Sequence, residues 1–149
     1  MESDIQEWVN RYEMAAAFAK EMVEELGEPR ALAIMARALE KMQVKVGHDL
    51  AEKLGGNSLE ALAEHIRKGA AQRDNFQVVE VTDKLIATRV TRCRSAEAFK
   101  ELGAPEICRL YCDSDYAYIK AFNPNMRMVR TKTIAAGDEC CNHIWVLDE

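Results

Sequence analysis

The side chains most able to do chemistry crowd the end of the chain. Between Cys108 and Trp145 fall Cys108, Cys112, Asp115, Cys140, Cys141 and His143, and Cys93 stands just upstream. A thiol becomes a strong nucleophile only as the thiolate, and a neighbouring imidazole can lower its pKa and carry its proton. The residue types therefore fit a thiol-rich pocket. They also fit a zinc site, because Cys108, Cys112, Cys141 and His143 are ligands that zinc prefers. The spacing argues against zinc: C-x-x-x-C on a helix is a poorer knuckle than C-x-x-C, and no second knuckle follows. The expectation is no cofactor, with zinc as the lesser alternative.

Face assignments decide whether these groups can meet. On a helix running from Pro105 to about Phe122, positions 108, 112, 115 and 119 share one face, with Tyr111 and Phe122 beside it. On a last strand, Cys141, His143, Trp145 and Leu147 share a face. On a second strand, Cys93 aligns with Thr91, Arg89, Ala87 and Leu85; on a third, Thr131 and Thr133 align with Val129 and Arg127. If the helix packs over the sheet, all four sets converge on one cleft.

Plainer explanations stand beside each. A buried cytosolic cysteine is commonly a small hydrophobe, which suffices for Cys108, and Cys140 faces away from Cys141. His143 among apolar neighbours fits a satisfied core histidine. Arg127, Arg130 and Lys132 fit a solvated strand edge. Asp115 is less easily dismissed, because a carboxylate on an inward face needs a partner or a task.

The elements that must hold these groups are legible from periodicity. Ser3 and Gln6 form a capping-box pattern, followed by an apolar stripe from Ile5 to Leu26 and a stop at Gly27. Pro29 opens a second helix with Gly47 as a point of bend or break, ended by Gly55-Gly56. Asn57 and Glu60 suggest the start of a third. From Asn75 the texture turns to β-branched residues. Phe76–Val81 and Leu85–Cys93 read as a hairpin, then a short helix capped by Ser95, the helix from Pro105, a third strand over 126–133 and a fourth from Cys141 to Leu147. The expected class is α+β: N-terminal helices packed on a four-stranded, largely antiparallel sheet of two hairpins, with a helical insert between them. Residues 1–149 read as a single domain, with a helical part over 1–74 and the sheet with its inserted helices over 75–149.

Composition narrows the partners. Hydrophobic content of 48% with 30% charged residues suits a globular chain rather than a disordered one. The net charge of -5 is spread unevenly and neither half is basic, so the chain lacks the basic footprint of nucleic-acid binding. No apolar run approaches a membrane span. The start M-E-S-D-I-Q lacks the basic and apolar regions of a signal peptide, and the odd cysteine count fits reduced thiols, so the expected location is cytoplasmic. The expected partner is a small molecule, and the exposed part of the first helical stripe could serve a homodimer contact.

The run R-C-R-S-A-E-A-F-K-E-L-G-A-P-E-I-C-R-L-Y-C-D-S-D, continuing through F-N-P, T-K-T and G-D-E-C-C-N-H, resembles the L-2-amino-thiazoline-4-carboxylic acid hydrolase family over residues 85–147. Arg94 departs from the pattern, standing where proline is expected after Cys93. The resemblance implies hydrolysis of a small cyclic amidine by thiol-assisted ring opening. It implies Cys112 as nucleophile, with Cys93 or Cys141 as substitutes, and Asp115 or His143 as acid or base. Thr131 and Thr133 would orient the substrate, and Arg89 or Arg127 would hold its carboxylate. A helix-then-sheet chain of this kind also resembles small-molecule sensor domains, so a non-catalytic ligand- or metal-binding module is the competing expectation.

Overall fold

The computed structural model describes residues 2–149, with side chains from residue 4 onward. The backbone is already helical at Glu2, so the helix does not start at Ser3 as expected, and the Ser3 side chain lies outside the described residues. The elements are α1 (Glu2–Leu26), α2 (Glu28–Leu54), α3 (Leu59–Ala70), β1 (Phe76–Val81), β2 (Leu85–Val90), α4 (Arg94–Glu101), α5 (Pro105–Asp113), α6 (Asp115–Phe122), β3 (Met126–Val129) and β4 (Cys141–Leu147). A 3₁₀ turn covers Ile134–Ala136. No described helix is long and apolar enough to cross a membrane. The α+β class is as expected. The chain forms two compact units, one from residues up to Leu39 together with Cys93–Ser114, the other from Glu40–Arg92 and Asp115–Glu149.

In the first unit, α1 packs on α4 and α4 on α5. Tyr12 stacks on Phe99 with centroids 4.4 Å apart and shares a 3.0 Å hydrogen bond with Ser95. Arg94, at the first position of α4, pairs with Asp4 at 2.6 Å. An arginine in the place of the expected proline thus occupies the first position of the helix and ties it to α1.

The second unit holds the sheet, in the order β1-β2-β4-β3 with every neighbouring pair antiparallel. β4 sits inside the sheet because it bonds to β2 on one side and β3 on the other. A bulge between Val78 and Glu80 leaves Val79 turned outward, 65% exposed. The core joins Leu62 and Ile66 of α3, Ile119 and Phe122 of α6, Ile86 of β2 and Met126 of β3. Each such buried side chain contributes about 1.5–3 kcal/mol of transfer free energy.

Several boundaries differ from the sequence reading, each for a local reason. α2 runs through Gly47 without a break. A Cβ there would fall against the Tyr118 carbonyl oxygen and 2.9 Å from Ala121 Cβ, so this glycine serves the close approach of α6. The cap of α3 is Ser58, whose hydroxyl accepts the Ala61 N–H at 3.1 Å, rather than Asn57. β2 ends at Val90, so Cys93 is not a strand residue; it, and not Ser95, caps α4. The helix expected over 105–122 is two. Ser114 bonds its own hydroxyl to the Tyr111 carbonyl at 2.5 Å, a side-chain-to-backbone bond that competes with helix continuation, and α6 begins afresh at Asp115. β3 stops at Val129, leaving Thr131 and Thr133 beyond the sheet.

Candidate functional site

The first unit gathers three thiols. Cys93 is the N-cap of α4, and its sulfur accepts the Ala96 N–H at 3.3 Å. Cys108, 1% exposed on α5, lies against both Cys93 and Cys112, one helical turn apart from the latter. The Cys108 thiol hydrogen-bonds to Cys93 and, helped by the Ala96 and Ser95 N–H groups, pushes the Cys93 pKa down to about 6 against the opposing effects of burial and Glu97. Hydrogen bonds to Cys112 and Cys93, reinforced by burial, drive Cys108 far the other way, so it keeps its proton. The proton is therefore absent from the sulfur at the helix start, where backbone donors and the positive end of the helix dipole favour an anion. Tyr111, on the same helix as Cys108, is at the surface, 36% exposed.

The second unit holds a cavity of about 320 Å³ whose walls include Ile66, Phe76, Asp115, Tyr118, His143 and Trp145. Asp115 Oδ2 lies 3.8 Å from His143 Nε2 and 3.8 Å from Arg130 Nη1, while Oδ1 accepts from Gln43 Nε2 at 3.3 Å. The His143 ring stacks on Trp145 with centroids 5.5 Å apart. Burial, then the nearby Arg130 charge, pushes the His143 pKa down to about 4. Asp115 alone would favour the imidazolium, but desolvation and Arg130 outweigh it, so His143 is a neutral imidazole at pH 7. Burial and the Asp115 charge push Tyr118 up to about 12, leaving its hydroxyl protonated.

The expected site residues divide accordingly. Cys93, Cys108 and Cys112 come together in one unit, and Asp115 with His143 in the other; the break at Ser114 assigns Cys112 and Asp115 to different units. Cys141, buried, accepts the Ile134 N–H at 3.2 Å and lies 3.7 Å from Thr133 Oγ1. Those bonds, with Asp138 accepting the Thr133 N–H and Asn142 Oδ1 accepting the Thr131 and Lys132 N–H groups, order the segment between β3 and β4. Thr131, Arg89 and Arg127 are exposed; Arg127 pairs with Asp148 at 2.8 Å. Among the described residues no group of three or more His, Cys, Asp or Glu is placed to hold a metal ion.

Arg130 corrects the sequence reading most clearly. Expected on a solvated edge, its guanidinium is only 4% exposed and lies over the Tyr116 ring at 5.5 Å. The alternation Met126, Met128, Arg130, with both methionines buried, carried the signal, since period two sets Arg130 on their face. Arg73, Tyr118 and His65 also line the cavity. They had no such signal, because α3 with its C-terminal end and α6, two separated segments, supply them.

The sequence profile of the L-2-amino-thiazoline-4-carboxylic acid hydrolase family matches residues 8–145, beyond the 85–147 stretch that carries the motifs. No curated protein sequence matches the chain. Among solved structures, the phenol-responsive sensory domain of the transcription activator PoxR, with phenol, superposes with a TM-score of 0.58 at 14% identity, covering 91% of this chain and 73% of that one. Trafficking protein particle complex subunit 3 from Naegleria fowleri, covalently bound to palmitic acid, gives a TM-score of 0.51 at 18% identity, covering 93% and 96%. At these identities the likeness is one of fold.

Proposed function

The chain belongs to the L-2-amino-thiazoline-4-carboxylic acid hydrolase family, and on that premise we propose that it hydrolyses a small cyclic amidine such as 2-amino-thiazoline-4-carboxylate, with Cys93 as the nucleophile. The observation that carries this reading is the Cys93 sulfur at the head of α4, held by the Ala96 N–H beside the Cys108 thiol, a setting that lowers its pKa. Cys112, favoured on sequence grounds, becomes the second choice, because it lies in the last turn of α5, whereas the Cys93 sulfur sits at the head of α4 and accepts the Ala96 N–H.

The thiolate adds to the amidine carbon between ring nitrogen and ring sulfur. The ring C–S bond breaks, and the ring sulfur leaves as a thiol after taking up a proton. Water then adds to the resulting S-linked amidine, and the Cys93 thiolate departs, giving the carbamoyl-cysteine. The net change is one water consumed and one new thiol released. A thiolate suits this task because it is both a good nucleophile and a good leaving group.

The test follows that new thiol. Purified protein with 2-amino-thiazoline-4-carboxylate is expected to release one thiol per turnover, and Cys93→Ala to lose at least a hundredfold in rate, with a smaller loss in Cys112→Ala. Undiminished turnover in Cys93→Ala rules out the assigned nucleophile; no turnover of any cyclic amidine rules out the hydrolase. A second reading, a binding module without turnover, is favoured by the second unit's cavity, which is lined mainly by apolar and aromatic side chains with a few polar groups.

A further inference from the structure

The cavity of the second unit has a charge pattern that selects among ligands. Its anionic wall group, Asp115, already faces the buried Arg130 guanidinium at 3.8 Å, so its charge is largely answered from within the protein. His143 is neutral, and the Tyr118 hydroxyl keeps its proton as a donor. Arg73, where the chain leaves α3, is different. It lines the same cavity, is exposed, and has no carboxylate partner among the described residues. The walls thus carry one uncommitted positive charge. They also carry two aromatic rings, Phe76 and Trp145, and the Trp145 indole N–H is buried with no acceptor among the described residues.

We propose that this cavity binds a planar heteroaromatic carboxylate, with the carboxylate on Arg73, the ring against Phe76 and Trp145, and a ring acceptor toward the Tyr118 hydroxyl. A guanidinium presents paired N–H donors in the geometry of a carboxylate, which makes arginine the fitting end-group for an acid. Flat rings gain from aromatic walls through offset or edge contacts. A neutral imidazole beside a protonated phenol supplies donors and an acceptor without adding a charge that would repel the acid. A volume of about 320 Å³ admits a single-ring compound and is near the lower end for small-molecule sites. This inference deepens the binding reading and does not depend on turnover.

The test uses nicotinate, with nicotinamide as its neutral counterpart, titrated calorimetrically into the intact chain. Nicotinate is expected to bind more tightly than nicotinamide, and Arg73→Gln to weaken nicotinate about tenfold while leaving nicotinamide unchanged, the size expected for a charge-assisted hydrogen bond. Tyr118→Phe is expected to weaken both ligands several-fold. Cys93→Ala, which removes the proposed nucleophile of the other unit, is expected to bind nicotinate as the parent does, so a failure of the hydrolase reading leaves this result standing. Equal binding of acid and amide, an unaltered affinity in Arg73→Gln, or no nicotinate binding at millimolar concentration would each overturn the proposal. Arg73 is exposed, so its replacement should leave the circular dichroism spectrum unchanged.

Discussion

With a pKa of about 6 in place of the usual 9.0, about nine-tenths of Cys93 is thiolate at pH 7, against about one-hundredth for an ordinary thiol. That is about ninetyfold more of the reactive form. The gain is partly cancelled, because a less basic thiolate is intrinsically less nucleophilic. With a Brønsted slope of about 0.45, the lower pKa costs about twentyfold in reactivity per thiolate. The expected alkylation rate at pH 7 is thus only about fourfold above that of an ordinary thiol, and at pH 9 it falls about tenfold below. The shape of the pH profile is the better readout. Iodoacetamide labelling of Cys93, read by peptide mass spectrometry, should rise with a midpoint near pH 6 and be flat from pH 7 upward. Cys108→Ala removes the first cause of the depression and should move the midpoint upward, short of 9.0 because the Ala96 N–H at 3.3 Å remains. A Cys93 profile still climbing between pH 8 and 9, or a midpoint indifferent to Cys108→Ala, would refute the reasoning.

Gly47→Ala should destabilise the chain by about 1–3 kcal/mol through overpacking against Tyr118 and Ala121, despite a helix-propensity gain of about 1 kcal/mol; urea denaturation decides, and a stabilised variant would contradict the close approach. His143 should remain unprotonated in NMR titration until well below its usual 6.5. Between about pH 6.5 and 4 the unfolded chain binds the proton that folded His143 refuses, so stability should fall with pH across that window, and less steeply in His143→Gln. Ser58→Ala should lose about 1 kcal/mol by leaving the Ala61 N–H without its cap, whereas Asn57→Ala should lose no cap; denaturation midpoints of the two variants compare them directly.

The sequence by itself determined the kinds of elements and their order. Apolar positions three and four apart marked α1 to α3, and β-branched runs closed by short turns marked two antiparallel hairpins, because such periodicities are set by local backbone geometry. It also supplied the motif that places the chain in its family. Tertiary structure decided the rest. Cys93 read as a strand residue until β2 ended at Val90 and its sulfur became the cap of a helix. The helix from Pro105 read as one face carrying Cys112 and Asp115 until the Ser114 hydroxyl bonded back to Tyr111. Arg130 had its signal in the alternation after Met126, but its burial depended on Asp115 and Tyr116 being there to receive it. The His143 pKa and the cavity walls depend on α3, α6 and the sheet together. Spacing along a chain reports which residues share a face; desolvation, charge pairing and capping depend on what that face meets, and those neighbours come from distant parts of the sequence.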